Sequence, residues 1–420
     1  MPLEGRFTPP GDKSLSHRLV LMSLAAEGEM LVRGLSDCDD VASSLAAFRS
    51  LGGRAEAEAE GMLRIRGLGG RWAPPEALEL QCDNSGTTIR LLMGLLAGRP
   101  GRYILDGDQS LRRRPMERVA EPLRLMGAKI ETVGGRPPVT VTGRALSGIT
   151  YSMTSASAQL KSAVLLAGLS AAGKTTVTEP AASRDHTERL IDYFGGPIEV
   201  DGLTASVTPG TMSLCRRFET PADPSSAAFF LVAAAFIPRS RVAAENLLLS
   251  KARTGFLRVL DRMGAKVSLT MTGDTPEPTG DVTVQYDGEL EGVEVAAEEI
   301  PSLIDEIPVL ALAATQARGR TVFRKVGELR VKETDRLMNI RHQLGALGAR
   351  VGVDGDDLIV EGPTSFIIPE SLDSGSDHRL AMTLALALKA AKAHIPIVGW
   401  ESISVSYPSF YDHLNDMWKD

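Results

Sequence analysis

Apolar and polar positions fall into one pattern that recurs along the chain. A helix-like segment ends in an apolar residue, a glycine and a small or glycine residue, and an alternating strand-like stretch follows. The phrase reads Leu51-Gly52-Gly53, Met126-Gly127-Ala128, Phe194-Gly195-Gly196, Met263-Gly264-Ala265 and Leu347-Gly348-Ala349. The periodicity predicts helices before these phrases over 41–49, 117–125, 187–193, 254–262 and 335–346. It predicts strand pairs after them, as in 129–133 with 139–141. A glycine suits a helix C-terminus, where a left-handed residue lets the chain turn into a strand. The copies stand roughly 70 to 85 residues apart, a period that fits a supersecondary unit rather than a solenoid turn. About six units fit in the chain, the last expected to be completed by the two termini. The apolar run 227–237 is too short to span a bilayer and predicts a buried helix.

Two proline-rich crossings break the pattern, Thr8-Pro9-Pro10-Gly11 and Thr220-Pro221-Ala222-Asp223-Pro224. They predict an α/β chain of two similar lobes. The first spans 12–221 with three repeats, and the second spans 1–11 plus 222–420 with three more. A ligand cleft between them is the expectation.

The helix openings carry the candidate chemistry. Gly11-Asp12-Lys13-Ser14 leads to Arg18 and a helix expected over 19–27. Asn84-Ser85-Gly86-Thr87-Thr88 leads to Arg90 and a helix expected over 89–96. Ser155-Ala156-Ser157-Ala158-Gln159 precedes a helix over 160–167, Ser183-Arg184-Asp185-His186 is expected to cap another, and Ser376-Asp377-His378-Arg379 precedes one over 380–389. Gly107-Asp108-Gln109-Ser110 runs into Arg112, Arg113 and Arg114, of which one is expected to turn inward. In Arg330-Val331-Lys332-Glu333-Thr334-Asp335-Arg336, a helical reading puts Lys332 and Arg336 on one face with Glu333 beside them. Taken alone, each opening is a capped helix or a solvated face. Together they suggest helix N-termini gathered on a strongly anionic ligand. Asp305 reads as an N-cap before an apolar helix over 309–315.

Composition narrows the classes. A net charge of -7 and 5% aromatic residues argue against general nucleic-acid or membrane-surface binding. Cys38, Cys82 and Cys215 are too far apart for a zinc motif and fit a reducing compartment. The N-terminus lacks the signal-peptide pattern, so the expectation is a cytoplasmic protein. No coiled-coil or apolar interface stripe is evident, so it is also expected to be a monomer. Gly168 to Thr175 matches a P-loop literally, but the helix comes before it and the strand after, so a nucleotide site is rejected.

In this order along the chain, the motifs resemble the 5-enolpyruvylshikimate-3-phosphate synthase family. The resemblance implies two lobes, each of three βαβαββ repeats (an inside-out α/β barrel), with the active site in the interlobe cleft. It implies transfer of the enolpyruvyl group of phosphoenolpyruvate to the 5-hydroxyl of shikimate 3-phosphate, with no metal or organic cofactor. By that resemblance Lys13, Arg114, Lys332, Arg336 and Arg379 clamp phosphoenolpyruvate, and Gly86 and Thr87 line the same pocket. Ser14, Arg18, Ser157, Gln159 and Arg184 take shikimate 3-phosphate. Asp305 takes the proton from the attacking hydroxyl, Glu333 protonates the methylene carbon, and Lys13 counts with them as catalytic.

There are departures from the family pattern. Ala158 replaces a second serine, Glu328 replaces an asparagine, and 404–408 lacks a lysine that some members carry. Gly86 differs from the alanine of the glyphosate-tolerant branch, so glyphosate is expected to compete with phosphoenolpyruvate. Two rivals remain at this point. One is the related transferase acting on UDP-N-acetylglucosamine, whose loop cysteine is missing from 107–116. The other is a non-catalytic anion-binding relative.

Overall fold

A computed structural model describes residues 2–72 and 77–418. The outermost ends of the expected lobes, residue 1 and residues 419–420, lie outside the described residues. The chain divides into two compact units, Gly11–Thr220 and Met1–Pro10 with Pro221–Asp420.

The helices are α1 (Lys13–Met22), α2 (Asp39–Ser50), α3 (Gly86–Ala97), α4 (Glu117–Leu125), α5 (Ala158–Gly168) and α6 (His186–Tyr193) in the first unit. The second holds α7 (Pro224–Phe236), α8 (Gly255–Arg262), α9 (Ile307–Ala314), α10 (Arg336–Ala346), α11 (His378–Ala390) and α12 (Phe410–Met417). The glycine phrases end α2, α4, α6, α8 and α10. At each, the first glycine has positive φ: 92° at Gly52, 106° at Gly127, 68° at Gly195, 102° at Gly264 and 85° at Gly348. A side chain there would strain the backbone, which is why the phrase recurs at these five helix-to-strand turns.

Each phrase feeds a four-stranded sheet of one design. In the clearest copy, Leu78–Gln81 runs parallel to Gly101–Asp106, which pairs antiparallel with Arg136–Gly143, which pairs antiparallel with Lys129–Val133. With α3 and α4 between the strands this is a βαβαββ repeat. Thr150–Ser152, Thr175–Thr178, Thr204–Val207 and Ile198–Asp201 repeat it around α5 and α6. Glu294–Val295, Gly319–Phe323, Asp357–Gly362 and Arg350–Asp354 repeat it around α9 and α10.

The remaining two sheets borrow their first strand from a distant part of the chain. Arg217–Glu219 pairs parallel with Glu29–Arg33, and Glu4–Phe7 pairs parallel with Arg241–Leu248. The expectation that the termini complete the sixth repeat is therefore corrected, because the N-terminal strand completes the fourth. The sixth repeat has only the parallel pair Leu372–Asp373 and Ile397–Val398 among the described residues. A 3-10 turn, Trp400–Val405, and α12 stand where a second helix and hairpin would follow.

One helix expectation shifts. The helix expected over 19–27 begins at Lys13 and ends at Met22, and Ala26–Glu27 is strand. The P-loop-like segment is a helix-to-strand passage, with α5 before it and Thr175–Thr178 after it. No helix of the described residues is long and apolar enough to cross a membrane.

Candidate active site

In Gly11–Thr220, side chains from four helix openings are tied together. Asp12 caps α1 by accepting from Leu15 N at 2.7 Å, which puts Lys13 and Ser14 in the first turn. Ser85 caps α3 and Ser157 caps α5 in the same way. α6 begins at His186, and its N-cap, Asp185, makes no side-chain cap bond, so the expected cap around Ser183 is not formed.

Arg18, 3% exposed, donates from Nε to Thr187 Oγ1 at 2.7 Å, from Nη1 to Ser14 O at 2.9 Å and from Nη2 to Ser162 Oγ at 3.0 Å. Ser162 and Thr187 also bond each other at 2.6 Å. Arg90 donates to Gln159 Oε1 at 2.6 Å, and Gln159 Nε2 donates to Thr87 Oγ1 at 2.9 Å. Of the three arginines, Arg114 is the one turned inward, donating to Asn84 Oδ1 at 2.6 Å. Arg112 is on the surface against Asp106, and Arg113 is exposed. These bonds from Arg18, Arg90 and Arg114 run to hydroxyl, amide and carbonyl oxygens, and an arginine so oriented can fork onto an anion.

Gly86 makes room for this arrangement. A Cβ there would stand 2.9 Å from Arg114 Nη1 and 3.0 Å from Arg90 Nη1. Lys13 Nζ pairs with Asp40 at 2.9 Å. His17 is fully buried, with Nδ1 against Ser44 Oγ at 2.8 Å. Burial, then the charges of Lys13 and Arg18, hold its imidazole well below the usual range. Arg184 is half-buried two residues ahead of α6. Lys161 is buried between Glu179 and Glu188, a compensated cluster that ties α5 to α6.

The cluster in Met1–Pro10 with Pro221–Asp420 is built from carboxylates. The run 330–336 is not one helix, which corrects the helical reading. A 3-10 turn, Gly327–Val331, ends at Lys332, and α10 begins at Arg336 under the cap of Asp335, which accepts from Met338 N at 3.1 Å. Lys332 and Glu333 therefore sit in the turn before a helix N-terminus. Asp377 caps α11 and also accepts from Arg336 Nε at 2.7 Å and Nη2 at 3.1 Å. Glu333 binds the same Nη2. Burial alone would lower the Arg336 pKa, but Asp377 and then Glu333 drive it above its ordinary value.

Asp305 lies two residues before α9 and does not cap it, because the N-cap is Glu306, which makes no side-chain cap bond. Three cations surround the Asp305 carboxylate: Lys332 Nζ at 3.6 Å, Arg336 Nη1 at 3.7 Å and Arg379 Nη2 at 4.0 Å. Glu306 is 2% exposed and faces the other edge of Arg379, Oε1 to Nη1 at 3.5 Å. Burial pushes its carboxyl above the usual range. Arg379 opposes that shift, Asp305 adds to it, and bonding to Ser225 and the charge of Arg253 oppose it.

Sequence reasoning missed Ser162, Thr187 and Asn84 as holders of Arg18 and Arg114, and Asp377 and Glu306 as holders of Arg336 and Arg379. Asp377 had a signal, since an Asp just before a helix predicts a cap. The partners of Arg18 stand 144 and 169 positions away and had none.

Repeats of this design, with capped openings that gather cations around paired carboxylates, define a class, the enolpyruvyl transferase fold. The crystal structure of the enolpyruvyl transferase NikO from Streptomyces tendae shares that fold at a TM-score of 0.77 and 20% identity, over 99% of this chain and 95% of that one. Within the class, the chain belongs to the EPSP synthase (3-phosphoshikimate 1-carboxyvinyltransferase) family, whose family model matches residues 1–414. By that membership it is a transferase of the shikimate pathway, which serves aromatic amino-acid biosynthesis. It is 44% identical over 409 residues to 3-phosphoshikimate 1-carboxyvinyltransferase of Acidithiobacillus ferrooxidans (strain ATCC 53993 / BNL-5-31), covering 97% of this chain and 94% of that protein. To the Bacillus subtilis (strain 168) protein of the same name it is 43% identical, covering 99% and 98%. The structure of EPSP synthase from Acinetobacter baumannii matches at a TM-score of 0.86 and 39% identity, over 99% of this chain and 96% of that one.

Proposed function

We propose that the chain transfers the enolpyruvyl group of phosphoenolpyruvate to the 5-hydroxyl of shikimate 3-phosphate and releases phosphate. One observation carries the residue assignment: the Asp305 carboxylate has three cations within 4.0 Å, and Glu333 adjoins one of them. In this reading Lys13, Arg114, Lys332, Arg336 and Arg379 hold phosphoenolpyruvate, and Gly86 and Thr87 line its pocket. Ser14, Arg18, Ser157, Gln159 and Arg184 hold shikimate 3-phosphate.

Asp305 takes the proton of the 5-hydroxyl as its oxygen bonds to C2 of phosphoenolpyruvate. Glu333 gives a proton to the methylene carbon, which becomes a methyl group. Cationic character at C2 is stabilised by the carboxylates around it. As the C–O bond to phosphate breaks, Glu333 takes a proton back from the methyl group and the double bond reforms. No step requires a metal or organic cofactor.

Phosphate release from phosphoenolpyruvate tests the reaction, run with shikimate 3-phosphate and separately with UDP-N-acetylglucosamine. Release should require the first acceptor, and release only with the second would overturn the reading. Glu333→Gln and Asp305→Asn should keep substrate binding and lose about 10²- to 10⁴-fold in kcat. Full activity in either variant removes that residue from its role.

Three further proposals accompany the reading. Glyphosate competes with phosphoenolpyruvate, supported by the glycine at position 86, and no competition at millimolar inhibitor overturns this. The chain is cytoplasmic, supported by three cysteines that are all free thiols. It is a monomer, which sedimentation would check.

A further inference from the structure

Glu306 has no step in the reaction above, yet it touches a residue assigned to phosphoenolpyruvate. Its carboxyl is sealed from solvent, and Oε1 has no hydrogen-bond partner while facing Arg379 Nη1 at 3.5 Å. The groups around it come from three other places. Arg379 opens α11, Asp305 is its chain neighbour, and Ser225, in the first turn of α7, bonds it. Arg253 lies behind, donating to Asp223 at 2.8 Å and Ser225 at 3.1 Å, so its charge is already shared with Asp223. Arg379 is thus the main charge that keeps Glu306 ionised.

An anion on Arg379 draws on the same guanidinium. With every group ionised, the cluster sets the cations Lys332, Arg336 and Arg379 against the anions Asp305, Glu306, Glu333 and Asp377. A further multiply charged anion would leave Glu306 undercompensated in a low-dielectric site, where that is costly. Uptake of one proton relieves the repulsion. We infer that Glu306 is a charge-compensating positioning residue for Arg379, ionised while Arg379 faces it alone and protonated when phosphoenolpyruvate occupies Arg379. This rests on the assignment of Arg379 to phosphoenolpyruvate. Burial already pushes the Glu306 carboxyl up, which brings its titration toward neutral pH.

The test is calorimetric titration of phosphoenolpyruvate into the full chain with shikimate 3-phosphate present, in buffers of different ionisation enthalpy. The wild type should take up more protons than Glu306→Gln, and subtracting the two removes protons bound by the ligand itself. The KM for phosphoenolpyruvate should rise with pH more steeply in the wild type, by at most about ten-fold per pH unit for one linked proton. Glu306→Gln should be the flatter and, at alkaline pH, the tighter binder. Equal proton uptake and equal pH profiles would overturn the inference. Should Glu306→Gln fold poorly, Ser225→Ala serves instead. It removes a bond that favours the ionised form and should move the rise in KM to higher pH; an unmoved profile counts against Glu306. Arg379→Gln should weaken phosphoenolpyruvate binding. Undiminished binding there overturns the assignment of Arg379, and the inference with it, whatever the Glu306 variants do.

Discussion

The two clusters differ in the groups that hold their arginines. In Gly11–Thr220, Arg18, Arg90 and Arg114 are gripped by hydroxyls, amides and carbonyls. In the other unit, Lys332, Arg336 and Arg379 are gripped by Asp305, Glu306, Glu333 and Asp377. A cation on neutral acceptors keeps its full charge for a ligand and has no proton to exchange, which suits the fixed binding of a phosphate. A cation among carboxylates is largely compensated, and it surrounds groups that can pick up and release protons. In the proposed reaction the proton transfers of Asp305 and Glu333 both fall in the cluster that holds carboxylates.

The largest effect that could break the comparison is on stability. Arg336→Met removes a buried cation from beside the charges of Asp377 and Glu333. It should cost about 3–5 kcal/mol in denaturant unfolding. Arg18→Met should cost less than about 1 kcal/mol, because Ser162 and Thr187 still satisfy each other across 2.6 Å. Its loss should appear as weaker shikimate 3-phosphate binding, by ten-fold or more on the scale of about 1.4 kcal/mol per ten-fold. Equal destabilisation by the two variants would erase the distinction.

A second effect follows from the burial of His17 beside two cations. The folded-state pKa is held well below the ordinary 6.5 by burial and by Lys13 and Arg18. Between the folded value and 6.5 the unfolded chain binds more protons. Stability should therefore be full above pH 6.5 and fall as the pH drops through that window, by at most about 1.4 kcal/mol per pH unit. His17→Asn should flatten the slope relative to the wild type. An unchanged slope would mean that the acid sensitivity comes from other groups.

How much of this was legible in the sequence depended on distance along the chain. The glycine phrases were legible because a left-handed helix end leaves almost no other residue choice, and each phrase sits beside the helix it ends. The sixth repeat was not, because its sheet stops at two strands and the N-terminal strand joins a partner more than 230 positions away. The identity of the charged residues in 330–336 was legible, but their placement was not. The break at Lys332 has no glycine or proline to announce it, although Asp335 was a usable capping signal. What holds each cation was the least legible part, since Thr187, Ser162 and Glu306 look like ordinary positions until folding brings them to an arginine.

The smallest expected effect sharpens the neutral side of the comparison. A methyl group at position 86 would stand 2.9 Å from Arg114 Nη1 and 3.0 Å from Arg90 Nη1, both at the far ends of flexible side chains. Gly86→Ala should therefore fold without penalty, since alanine also favours the first helical turn by up to about 1 kcal/mol over glycine. The arginine tips must move by a few tenths of an ångström. The shift bears on the Arg114 bond to Asn84 and the Arg90 bond to Gln159, and through them on the ligand. The KM for phosphoenolpyruvate should rise about three-fold, roughly 0.65 kcal/mol, with kcat little changed. Glyphosate inhibition should weaken in parallel if both anions use the same arginines. Steady-state kinetics with and without inhibitor would decide it: an unchanged KM would mean that Gly86 does not set the position of Arg114.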